Sequence, residues 1–331
     1  MKNAFVKIFL LLTVVLFSAG LTKPTDSLGQ GKMVLKAGSS TAETHPYNLG
    51  LKRFKELVEK GTAGKIEIQI FHSSALGAER ELAEGMQIGS VDVVISSTGP
   101  LGGFVPKMNV VDLPFLFRDK AHAYKVLDGP IGASLLGELE KRNIIGLAFW
   151  ENGFRHVTNA RREIKVPADL KGLKLRTMEN RVHMAAFRQL EAAPTPMAFS
   201  EVFTALQTKT LDGQENPIPV IFTSRFYEVQ KFLSLSGHVY SPAPLMVSKH
   251  TWDKLTEEQK GVFKKAAIEA RDYERDLITK QENEQIDKLK AAGMTVTLVD
   301  KSLFQKATLP VYSQFEAEFG KELIERIVNT K

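Results

Sequence analysis

Leu173-Lys-Leu-Arg-Thr177 alternates apolar and polar residues in the two-residue period of a half-buried strand, and a helix is expected behind it at about Asn180–Leu190. The same unit recurs upstream. Lys65-Ile-Glu-Ile-Gln-Ile-Phe71 puts Ile66, Ile68 and Ile70 on one face and follows a helical stretch near Tyr47–Glu59. Val91–Ile95 is a buried strand after a helix around Glu79–Ile88, and Ile144–Phe149 is another after Ile131–Lys141. Strands alternating with helices predict an α/β fold whose sheets are mostly parallel, with ligands beyond the carboxyl ends of the strands.

A second cycle of this pattern begins near Gly153, so two domains are expected. Ser200 is read as the N-cap of a short helix, and Leu245–Ser248 as a returning strand. Thr256-x-x-Gln259 is a capping box that opens a long helix ending near Gly293. Its expected apolar stripe is Phe263, Ala266, Ala267, Ala270, Tyr273 and Leu277. About 36 residues rise roughly 50 Å, longer than a small domain is wide, so this helix should lean on both domains. No repeat or low-complexity linker interrupts the chain, which points to strands crossing between the domains rather than a loose tether.

The 331 residues are 43% hydrophobic and 25% charged, the make-up of a soluble globular protein. The first twenty stand apart. Lys2 and Lys7 precede the apolar run Ile8–Phe17, broken only by Thr13, and Ser18, Ala19 and Gly20 supply small residues for cleavage. A run this short predicts a signal peptide over 1–20 rather than a membrane span. No Cys occurs, which excludes both a lipid anchor and a disulfide framework and fits export to a bacterial periplasm. The net charge of +6 is dispersed in pairs such as Arg161-Arg162, unlike the concentrated basic surface of a nucleic-acid binder.

Enzymatic motifs are missing. His45, His72, His122, His156, His183, His238 and His250 are scattered, without zinc-helix spacing, and no P-loop, Gly-x-Ser-x-Gly elbow or dinucleotide fingerprint occurs. No metal, cofactor or catalytic residue is therefore expected. Arg176 is the residue that physics singles out. Leu173 and Leu175 face one side of their strand, leaving Arg176 on the other, close to its carboxyl end. A guanidinium there is either an exposed strand-end residue or the bidentate partner of a ligand carboxylate.

Pro167-Ala-Asp-Leu-Lys-Gly-Leu-Lys-Leu-Arg176 resembles the hallmark segment of the solute-binding proteins of tripartite ATP-independent periplasmic (TRAP) transporters, the DctP family. Pro194-Thr-Pro-Met-Ala-Phe-Ser-Glu-Val-Phe203, Leu211-Asp-Gly-Gln-Glu-Asn-Pro217 and Phe226-Tyr-Glu-Val-Gln-Lys231 continue the likeness. Leu76-Gly-Ala-Glu79, Leu113-Pro-Phe-Leu-Phe117 and Trp150-Glu-Asn-Gly-Phe-Arg155 extend it upstream, so that it covers essentially the whole chain beyond the signal peptide.

The resemblance implies a two-domain periplasmic binding protein (Venus-flytrap) that is monomeric, is not an enzyme, and hands its ligand to a small and a large membrane subunit. It makes Arg176 the carboxylate anchor, Arg155 its support, Asn216 an amide donor to the same group and Phe199 an apolar wall. Glu79, Ser97 and the Glu43-Thr-His45 stretch fall at positions similar to the family's hydroxyl-binding ones. Glu79 reads equally as a helix N-terminal acid favoured by the dipole. The Gln-Glu-Asn-Pro segment resembles that of members binding sugar acids, sialic acid included, and with Glu79 it favours a hexuronate or related monocarboxylate sugar acid over a C4-dicarboxylate, with sialic acid as an alternative. Domain I is expected at 33–152 with 241–281, and domain II at 153–240 with 282–331. A ligand sensor and a periplasmic lyase are the rival readings.

Overall fold

A computed structural model describes residues 31–331, so the expected signal peptide lies outside the described residues. Ten strands organise the described residues: β1 (Met33–Gly38), β2 (Ile66–Phe71), β3 (Val93–Ile95), β4 (Ile144–Asn159), β5 (Lys174–Thr177), β6 (Ala193–Pro196), β7 (Gly213–Pro217), β8 (Phe232–Leu235), β9 (Tyr240–Ser248) and β10 (Thr295–Leu298). One sheet runs β2-β1-β3-β9-β4, and its first three strands are parallel. The other is built outward from the far half of β4. On one side lie β7, β5 and β6, and on the other β8 and β10. Along 144–154 β4 is paired with β9, and along 155–159 it pairs with β7, with β8 on its other side over 157–159.

That single strand is the crossing connection expected from the sequence. It was read only as far as Phe149, because Glu151-Asn-Gly-Phe-Arg155 interrupts the apolar pattern with polar residues that nonetheless bury. The register slips at Glu151/Gly153, and Gly153 takes φ +116°, a conformation that other residues strain to adopt. The bend thus sits where the two sheets meet.

Each sheet carries apolar packing on both faces. Leu51, Phe54 and Val58 of the helix Pro46–Gly61 join Phe263, Ala266, Ala267 and Ala270 of the helix Glu257–Ala291 over one face of the first sheet. Leu289 of the same long helix sits in the core of the second, with Val202, Ile218 and Leu233. The long helix therefore spans both lobes, opened by the Thr256/Gln259 capping box as expected. Its stripe corrects the sequence reading. The row 263-267-270 continues through Glu274 and Ile278, which are buried, while Tyr273 turns to solvent at 43% exposure. A 3.6-residue period carries the stripe from 270 to 274, and apolar character alone pointed to 273. Ser200 is a second correction: the helix Phe199–Gln207 starts ahead of it, capped by Ala198 without a side-chain bond.

The segment 282–331, expected wholly in domain II, divides by packing. β10 joins the second sheet. Val311, Phe315, Phe319, Ile324 and Ile327 share a core with Val110, Val126 and Leu135 and also with Val182 and Ala186 of the helix Arg181–Gln189. Arg118 fastens this end by donating from Nη1 to Val328 O and from Nη2 to Thr330 O, both at 2.7 Å.

Candidate functional site

A small cavity lies between the two sheets, lined by Ser40, Thr41, Tyr47, Glu79, Ser97, Asn152, Arg176, Met178, Phe199, Asn216 and Val220. Strand ends and the loops behind them supply most of this wall, as the strand–helix architecture dictates. Four of the buried polar atoms without a protein partner sit here or just behind it: Arg176 Nη1, Arg155 Nη1, Tyr47 Oη and Asn152 Oδ1. Buried polar groups are nearly always paired, so several orphans around one space are the mark of a missing partner.

Arg176 leaves β5 as its alternation requires, opposite Leu175, and is 2% exposed. Nε and Nη2 both donate to Met197 O, at 2.9 and 2.7 Å, which fixes the plane of the guanidinium and leaves Nη1 free. The Phe199 ring lies 5.8 Å from its central carbon, close enough for a cation–π contact. Among the described residues no carboxylate pairs with it. Burial, with Arg155 nearby, pulls its pKa down to about 10. The guanidinium is still a cation at neutral pH, held at a cost that a ligand anion would relieve.

Arg155 is compensated differently. It is fully buried beneath the cavity and donates from Nε to Glu215 Oε2 at 2.5 Å and from Nη2 to Glu215 Oε1 at 2.9 Å. Nη2 also reaches Asn216 Oδ1 at 3.0 Å. Burial works against a charged Glu215, but Arg155, His183 and His238 outweigh it and hold the carboxyl well below its ordinary range. Asn216, oriented by Arg155, spends one amide hydrogen on Gln214 Oε1 at 2.6 Å and retains the other. These residues form one rigid platform.

The opposite wall is an acceptor. Glu79 opens the helix Glu79–Ile88, and its Oε1 receives Ser96 Oγ at 3.1 Å, Ser97 N at 3.2 Å and Ser97 Oγ at 3.0 Å. All three bonds fall on one oxygen, leaving Oε2 to accept from something else. Asn152 Nδ2 reaches Ser241 Oγ at 3.4 Å, so its orphaned Oδ1 is a second acceptor. The cavity thus has a cationic donor end and an end rich in hydroxyl-matching oxygens.

Of the seven residues expected in the site, Arg176, Asn216, Phe199, Glu79 and Ser97 line the cavity. Arg155 lies one layer behind them. His45 is not brought to the wall. Its Nδ1 caps the helix Pro46–Gly61 by accepting from Tyr47 N at 3.2 Å, and burial drives its pKa to about 3, so the ring is neutral. Its edge packs on the Tyr47 ring at 4.6 Å, which seats Tyr47 in the wall in its place. Tyr47, Asn152, Met178, Ser40, Thr41 and Val220 were not anticipated. Asn152 and Met178 fall inside or beside motifs recognised in the sequence, Trp150–Arg155 and Leu173–Thr177. Among the described residues no cluster suited to a metal ion occurs.

The sequence model of the family described as "Bacterial extracellular solute-binding protein, family 7" (DctP) matches residues 37–318. This chain belongs to that family. A TRAP periplasmic solute-binding protein from Polaromonas, solved with bound D-erythronate, is 51% identical, has a TM-score of 0.89, and matches over 90% of this chain and 99% of its own. The 2,3-diketo-L-gulonate-binding periplasmic protein YiaO of Escherichia coli is 41% identical over 89% of this chain and 90% of its own. A TRAP protein from Roseobacter denitrificans with bound β-D-glucuronate is 34% identical, with a TM-score of 0.87 over 90% and 100% of the two chains. The chain is accordingly a TRAP solute-binding protein, a ligand-binding transport subunit and not an enzyme, built on the two-domain α/β architecture of its relatives.

Proposed function

We propose that this TRAP solute-binding protein captures a small polyhydroxylated monocarboxylate, a sugar acid, between its lobes and delivers it outside the cytoplasm to the small and large membrane subunits. The observation that carries the reading is Arg176, a buried cation in the cavity wall whose only acceptor among the described residues is one backbone carbonyl and whose Nη1 is unpartnered. The ligand carboxylate would take that nitrogen, with Arg155 and Asn216 in support and Phe199 beneath. Its hydroxyls would donate to Glu79 Oε2 and Asn152 Oδ1 and exchange bonds with Tyr47.

The eleven lining residues enclose a small space between the lobes, which suits a compact acid. The hexuronate expected from the sequence remains within the class. An open-chain acid is the better fit, since erythronate and diketogulonate belong to the more similar relatives and glucuronate to a less similar one. Dicarboxylates are disfavoured because a second carboxylate would meet Glu79.

We take the first lobe as 33–152 with 241–281 and the second as 153–240 with 282–331, the last two helices packing against residues of both. The ligand touches both only when they close, so binding shifts the population to the closed form, which the membrane subunits would read. Mass spectrometry of ligand carried through purification, with thermal-shift titration of erythronate, galactonate, glucuronate and succinate, tests the class. A melting shift from the sugar acids, with compaction in solution scattering, is expected. Stabilisation by succinate alone would overturn it.

A further inference from the structure

We propose that Met178, seated against Gly99, is the gauge that sets the length of acid the cavity accepts; this rests on the sugar-acid reading of the site. Met178 follows Arg176 by two residues, just past the end of β5, and lines the cavity with the anchor. It is 2% exposed, and its side chain reaches across to the other wall. The Ser97 hydroxyl approaches Met178 Sδ at 3.2 Å while also lying 3.0 Å from Glu79 Oε1, so its single proton is shared between the thioether and the acceptor carboxylate. The same serine therefore ties the methionine to the residue that faces the ligand hydroxyls.

Gly99 makes room for this. A Cβ placed there would stand 2.4 Å from Met178 Cε and 2.6 Å from Sδ, and 3.2 Å from its Cβ. Gly99 is not among the positive-φ positions, so the backbone does not demand glycine. The space for the methionine does. The carboxylate is fixed at Arg176, whose guanidinium plane is locked by Met197 O, so the position of the ligand's far end depends on what fills the other side of the cavity. A methionine tip is apolar, unbranched and adaptable, and it blocks extension without offering a hydroxyl partner.

Two substitutions move the gauge in opposite directions. Met178→Ala removes the tip and lengthens the cavity. Gly99→Ala displaces the tip inward and shortens it. Calorimetric titration of open-chain aldonates of four to seven carbons (erythronate, ribonate, galactonate, glucoheptonate) reads the result as a ratio of affinities, long over short. Since one methylene-sized change in a pocket is worth about tenfold or more, Met178→Ala should raise that ratio about tenfold and Gly99→Ala lower it by a similar factor. Met178→Leu, of matched volume, should leave it within about twofold. Either single variant suffices if the other fails to fold. An unchanged ratio in a folded Met178→Ala or Gly99→Ala protein that still binds would overturn the gauge and leave the ligand class standing. Failure of the unsubstituted protein to bind any of the acids would overturn the class itself, and the gauge with it.

Discussion

Arg155 and Arg176 are both sealed from solvent, yet Glu215 neutralises Arg155 while Arg176 has only the carbonyl of Met197. The two cations repel one another, and the imbalance gives the cavity its demand for one negative charge. A site with two compensated arginines would bind neutral sugars; a site with two free ones would call for a dianion.

Arg176→Met should therefore lose binding by about a hundredfold or more, since charge-assisted bonds contribute ~1.5–3 kcal/mol each and tenfold corresponds to ~1.4 kcal/mol. The same substitution should leave the melting temperature of the ligand-free protein unchanged or raise it, because it removes a buried unpaired charge. Arg176→Lys should also bind poorly, for an ammonium cannot keep two bonds to Met197 O and a third to the ligand in one plane. Calorimetry at near-normal affinity in Arg176→Met would remove its role as anchor.

Glu215→Gln should behave in the opposite sense. It strands Arg155 without a counter-ion in a fully buried setting, a change that costs roughly 3–5 kcal/mol. Chemical denaturation is the measurement, and a loss below about 1 kcal/mol would mean that Arg155 finds compensation elsewhere.

Stability should also depend on pH through His183. Its Nε2 lies 3.4 Å from Asp112 Oδ1 and its Nδ1 3.7 Å from Glu215 Oε1, with Arg155 and His238 competing for the latter carboxylate. Burial opposes its charge, but the two carboxylates prevail and raise its pKa above the ordinary 6.5. A base with a raised folded-state pKa contributes fully below its unfolded value and loses that contribution as pH rises through the folded one. Unfolding free energy should thus fall on the alkaline side of pH 6.5, and His183→Asn should flatten that slope. His45 and His156, buried and driven to about 3, destabilise only on the acid side, so they do not confuse the comparison. Identical alkaline slopes in the two proteins would count against the bridge.

Glu79→Gln tests the hydroxyl wall. The neutral amide removes repulsion of a second carboxylate, so succinate should gain affinity while sugar acids lose about tenfold, the worth of one charge-assisted bond. A thermal-shift panel in which both ligand types change in parallel would argue that Glu79 is only the helix-opening acid.

The anchoring half of the site was legible in the sequence because its signals are local. Strand alternation turns Arg176 away from Leu175, and recognisable motifs flank Arg155, Asn216 and Phe199. The hydroxyl wall was harder to read. Tyr47 and Asn152 reach the cavity through a helix start and a strand bend brought together from separate parts of the chain. His45 was misplaced for a related reason: a histidine ahead of a proline-initiated helix can cap the backbone, and here Tyr47 N takes its Nδ1. The long helix was readable in length and cap, but burial of Glu274 in place of Tyr273 follows from helical phase that composition conceals.

β4 serves two sheets, and β9 inserts between β3 and β4 although it begins about 80 residues after the end of β4. No fragment ending before Ser248 can complete the first sheet, whose Val93-Val-Ile95 edge would stand bare until β9 arrives. Contacts this distant in sequence make for a high contact order and a slow, late-committing folding reaction. The two lobes consequently stand or fall as one cooperative unit, and neither should be obtainable as an autonomous fragment.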